Sequence, residues 1–142
     1  MIETPHPGNG LKTAIYDRLG SDPGTSSYST YNRMPVGGAG YPRFEILTAS
    51  YSLRDTFSTT GWDAIVSVAA RNRFKRGHAS DITTQAMISG ATSAFSVSKL
   101  SIDDWAVVVQ RVTDTADLPD EDEAYEYIDA VITISFTLTY TG

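Results

Sequence analysis

The segment that most constrains this chain is its last long apolar stretch, Tyr125 to Tyr140. Ile132, Ile134, Phe136, Leu138 and Tyr140 alternate with Thr133, Ser135, Thr137 and Thr139. Side chains on a strand point alternately to opposite faces, so this pattern calls for a sheet with one face in a core and one in water. At ~3.3 Å per residue the strand reaches about 50 Å, against a diameter of about 37 Å for a compact domain of this size. It is expected to overhang, bend or break. An overhang would leave amides that another chain has to cover, which points to association.

The remaining elements follow from period and punctuation. Residues 1–10 read as an arm, with two prolines and two glycines. Leu11, Ala14, Ile15 and Leu19 fall on one helical face between a cap at Asn9 and a stop at Gly20. Residues 21–40 form a long Ser/Tyr-rich connection with one extended piece around Tyr28–Met34. Phe44 and Ile46 alternate with Arg43 and Glu45, and Trp62, Ala64, Val66 and Val68 with their neighbours, so 41–53 and 62–69 predict a hairpin. Ser80 opens a helix whose stripe is Ile82, Ala86, Met87, Ala91, Ala94 and Phe95, weakened by Gly90. Asp103–Thr113 is apolar on both faces and reads as a central strand. Trp62 and Trp105 read as core anchors.

The expectation is a single α+β domain over 1–142, an antiparallel sheet of about four strands packed against helices in the order α-β-β-α-β-β. At 142 residues such a domain needs no staples. Zero cysteines exclude disulfides and thiolate chemistry. No run approaches the ~18–20 apolar residues of a bilayer span, and the N-terminus does not read as a secretory signal, so the chain is expected in a cytosol or released by lysis.

Charge is unevenly spread. Residues 1–99 carry ten basic and seven acidic side chains, net +3, whereas 100–142 carry Arg111 against ten acids, net −9. The overall −6 argues against generic DNA binding. Separated poles instead suggest complementary patches on associating surfaces. The basic run Arg71-Asn72-Arg73-Phe74-Lys75-Arg76 is read as a solvated turn or a contact with an acidic neighbour, and less readily as a nucleic-acid site in which Phe74 stacks.

Catalytic readings find no anchor. Gly37-Gly38-Ala39-Gly40 lacks the Lys-Ser/Thr and the following helix of a phosphate loop. The acidic tip within 114–126, Asp117 to Glu123, lacks the ligand spacing and turn glycine of a calcium loop. His78 follows four cations without a carboxylate to orient it, and Asp103 and Asp104, as strand neighbours, point to opposite faces. Neither Gly-x-Ser-x-Gly nor His-Glu-x-x-His occurs. No enzyme and no cofactor are expected.

The amphipathic helix Leu11–Leu19, the variable connection, Tyr41-Pro42-Arg43-Phe44-Glu45-Ile46, the Trp62-Asp63 strand, a long helix and two final strands together resemble the tail terminator, or tail completion, proteins of long-tailed bacteriophages. The resemblance spans most of the chain, though the acidic tip and the 21–40 connection depart from it. It implies a virion protein that forms a hexameric ring, caps the tail tube and presents a surface to the head–tail connector protein, with DNA passing through its channel. On that footing Arg71, Arg73, Lys75 and Arg76 face a neighbouring subunit or the tail partner, and Asp120, Glu121, Asp122 and Glu123 line or rim the channel. The alternatives are a neck ring on the portal side, or a small ligand-binding or hydrolytic domain.

Overall fold

The computed structural model describes residues 5–32, 40–55, 60–121 and 123–142. A helix α1 (Gly8–Ser21) precedes four strands, β1 (Ser29–Tyr31), β2 (Arg43–Asp55), β3 (Thr60–Arg71) and β4 (Arg73–Lys75). Helix α2 (Ile82–Ser96) and two long strands, β5 (Trp105–Glu121) and β6 (Tyr125–Tyr140), complete the chain. The order is thus α-β-β-β-β-α-β-β, and the six-stranded sheet is mixed because β1 runs parallel to β2. This corrects the expected four-stranded antiparallel sheet. The two extra strands have three residues each, too few to show a period, and β4 lies inside the basic run read as a turn.

The antiparallel backbone of the sheet is β2-β3-β6-β5. β2 and β3 form the expected hairpin. β6 runs unbroken: β5 lines one edge from Trp105↔Tyr140 to Glu121↔Glu126, and β3 followed by β4 lines the other. It therefore neither overhangs nor breaks. β5 pairs with β6 alone among the described strands, so it is an edge strand and not central.

The misreading of β5 has a local cause. Bulges between Val107/Val109 and Val112/Asp114 shift its register twice. Val107 sits opposite Leu138, on the core side, whereas Val109 sits opposite Thr137, on the wet side. Apolar residues thus fall on both faces of an edge strand.

One face of the sheet carries the core. Phe44, Ile46, Ala64, Val66, Val68, Ile132, Ile134, Phe136 and Leu138 meet Leu11, Ile15 and Leu19 of α1 and Met87, Ala91, Ala94 and Phe95 of α2. The α2 stripe is rotated from the expected one: Thr84 and Ile88 are buried, while Ile82 is 76% exposed and Ala86 is exposed. Both tryptophans are half-buried at the same end of the sheet, Trp62 donating from Nε1 to the Pro5 carbonyl (2.9 Å) and Trp105 stacking edge-on against Tyr140.

Arg18 joins the two helices. Its guanidinium donates to the carbonyls of Ala94 (2.6 Å), Ser98 (2.9 Å) and Lys99 (3.2 Å), satisfying the end of α2 with a cation where the helix dipole favours one. Gln110 reaches the same turn from β5, accepting from the Leu100 amide and donating to the Phe95 and Ser98 carbonyls.

Gly90 is explained by the turn after α1. A Cβ at this position would collide with the Gly24 carbonyl, so the residue that weakens α2 as a helix is what lets the turn lie against it. Gly90→Ala is expected to lower stability by about 1–3 kcal/mol, because the overpacking outweighs a helix-propensity gain of up to ~1 kcal/mol. Urea unfolding measures the sign.

Candidate functional site: the charged end of the sheet

The end of the sheet holding the start of β2, the end of β3, β4 and the β5–β6 turn gathers the basic run and the acidic segment. Alternation places Arg43 and Glu45 on the face away from the helices. Yet Glu45 is 0% exposed and Arg43 only 7%. A bare carboxylate there would be costly, and its two oxygens are satisfied separately: Arg43 Nε donates to Oε1 at 2.8 Å and Arg71 Nε to Oε2 at 3.2 Å. Arg71 also donates to Asp129 Oδ2 at 3.0 Å, while Asp129 Oδ1 accepts from the Asn72 amide at 3.1 Å.

The geometry explains why the carboxylate is needed. Arg43 and Arg71 are direct partners across β2 and β3, a like-charge juxtaposition that is unfavourable without a countercharge. Burial works against the charge on Arg71, but hydrogen bonds to Asp129 and Glu45, and their negative charges, outweigh it and hold its pKa above the ordinary arginine value.

A second layer is aromatic. Arg43 and Arg73 both lie over the Tyr41 ring, at 4.2 and 4.7 Å from its centroid, and Arg73 also lies 4.2 Å from that of Tyr125. The stack fixes a planar cation on an exposed surface. β4 itself pairs with the foot of the acidic hairpin, Arg73↔Tyr127 through Lys75↔Tyr125, and the Gly77 amide donates to Glu126 Oε1 at 2.8 Å.

The basic run and the acidic segment, far apart in sequence, are therefore neighbours in space. Of the four proposed interface cations, Arg71 is turned into the ion network, and Arg73, Lys75 and Arg76 lie exposed on β4 and the following turn. Asp120 and Glu121 end β5 opposite Tyr127 and Glu126, and Glu123 is exposed in the turn. Asp122, and Gly37 to Ala39 of the glycine-rich run, lie outside the described residues. The sequence contained one signal for the network: two charges of opposite sign, Arg43 and Glu45, on one face of a short strand segment with an arginine in the next strand.

Elsewhere His78 sits exposed in the turn after β4, its amide donating to the Lys75 carbonyl. Asp103 and Asp104 lie in a turn rather than a strand, Asp104 at φ 67°. Among the described residues no three metal-ligating side chains converge. A shallow groove lined by Tyr16, Ser26, Tyr28, Thr30 and Tyr31 lies between α1 and β1.

Glu45→Ala leaves Arg43 and Arg71 facing each other in a buried setting and is expected to cost about 3–5 kcal/mol of unfolding free energy in urea. Arg54→Ala, which removes the exposed pair with Asp63, is expected to cost no more than about 1 kcal/mol in the same assay.

No protein-family model and no curated protein sequence matches this chain. The fold is similar to that of a chain in the solved structure described as "Virion of native gene transfer agent (GTA) particle", with a TM-score of 0.72 and 14% identity over 92% of this chain and 96% of that chain. At that identity the likeness establishes the fold, which the two chains share over nearly their whole lengths.

Proposed function

We propose that the chain is a structural protein of a phage-like virion, and that within it the chain forms a hexameric ring that ends the tail tube and offers the surface for joining the head. The observation that carries this reading is the likeness, over almost the full length of both chains, to a component of a gene transfer agent virion. A fold alone does not dictate a function. The resemblance of the sequence to tail terminators supports the finer assignment through Tyr41-Pro42 and the alternating strand that follows it, Arg43-Phe44-Glu45-Ile46, independently of the fold comparison.

In this reading Arg73, Lys75 and Arg76 contact the next subunit or the tail tube protein, with Arg71 holding their strand in place from behind. The acidic stretch of Asp120, Glu121, Asp122 and Glu123 rims the channel, where it repels the DNA backbone and lets it slide.

Purified chain is expected to give a multiple of 15.4 kDa by light scattering, and closed rings by negative-stain imaging. Particles made without it should have overlong tubes and unjoined heads, and added chain should restore joining. Labelled chain at the tube end, rather than at the portal face, separates a terminator from a neck ring. Reversal of both Arg73 and Arg76 to Glu is expected to reduce the assembled fraction at least about tenfold, since like charges at an interface cost several kcal/mol. Unchanged assembly contradicts the contact.

A further inference from the structure

Among the described residues both edges of the sheet are open, and at the same end. On one side β1 covers only Arg43 to Glu45 of β2. Beyond the bulge at Ile46/Thr48, the stretch Thr48–Asp55 pairs with β3 alone among the described residues. Its side chains at Thr48, Ser50, Ser52, Leu53 and Arg54 are exposed.

On the other side β5 from Ala106 onward pairs with β6 alone among the described residues, and its two halves differ. The half near the acidic turn carries exposed Asp114 and Asp117, and Pro119, which has no N–H to offer an incoming strand. The half near Trp105 carries Ala106-Val107-Val108-Val109, the longest aliphatic run in the chain, with Val108 50% and Val109 41% exposed. A free edge of that composition is a site for strand addition.

Register shows that the two open stretches lie level with each other. Reading across the sheet, Val109 pairs with Thr137, Thr137 with Asp63 and Asp63 with Ser52; Arg111 leads in the same way through Ser135 and Ile65 to Ser50. The four strands also alternate in direction, so β2 and β5 run opposite ways. Rotation about an axis along the strands preserves their sense. β5 of one copy consequently meets β2 of the next in antiparallel orientation, a contact between two different patches that closes into a ring.

We propose that the occupant of the β5 edge is the β2 edge of a second copy, with Val109–Val112 pairing against Ala49–Ser52 and joining the sheets of neighbouring subunits. The inference rests on the reading of the chain as a self-assembling ring. The closed ends of the two edges set the register: β1 blocks one and the acids with Pro119 block the other, so the junction forms only in the open half.

The chain has no cysteine, which permits a direct test. Val109→Cys is combined in turn with Ser50→Cys and Ser52→Cys, and each double variant is oxidised after its mass is measured in solution. Directly opposed cross-strand side chains have Cβ atoms ~4.5–5.5 Å apart, close to the geometry a disulfide needs. The expected result is a covalent ladder up to the full ring from at least one pair, absent from the single variants and from Asp117→Cys with Ser52→Cys. Rings by mass without a ladder from either pair overturn the edge junction and leave ring formation standing. A chain that stays single overturns both. Circular dichroism confirms that these exposed substitutions leave the fold intact.

Discussion

Everything in this molecule depends on β6 being paired along both edges. Its inward side chains, Ala130, Ile132, Ile134, Phe136 and Leu138, form the middle row of the core, and that row stays in register only because β3 and β5 hold it from the two sides. A one-residue slip would carry Thr133, Ser135 and Thr137 into the core and the apolar row into water. The two helices then need only one apolar face to cover, and Arg18 fixes the end of α2 to α1 over it.

The same strand explains how the charges are arranged. Because β4 continues the line of β3 past Asn72 and meets the foot of the β5–β6 hairpin, the basic run is delivered to the acidic turn. Opposite charges that sequence separation presents as two poles partly neutralise each other at one end of the sheet. Tyr41 and Tyr125 hold Arg73 in a defined orientation there, which distinguishes it from a freely solvated cation.

Residues 125–140, the β2–β3 hairpin and both helices were legible in the sequence because each repeats its apolar period for several turns or pleats. β1 falls within the extended piece expected around Tyr28–Met34, but its parallel pairing was not legible, nor was β4, since three residues carry no period and their pairing is decided by distant strands. β5 was found but misplaced, because its bulges at Val107/Val109 and Val112/Asp114 put valines on both faces and imitate a buried strand. At the candidate site the basic and acidic residues were visible individually. Their proximity, and the burial of Glu45 between Arg43 and Arg71, arise from cross-strand register and have no local signature.

Two level, open edges and one defended end, among the described residues, are what the proposed junction between copies rests on. Amide hydrogen exchange along β5, followed as the unmodified chain is diluted, tests this most directly. The account predicts that the amides of Val109–Val112 that face away from β6 exchange slowly at high concentration and fast on dilution, with the outward amides of Asp114–Asp117 fast throughout. Outward amides of Val109–Val112 that exchange equally fast at every concentration would contradict it.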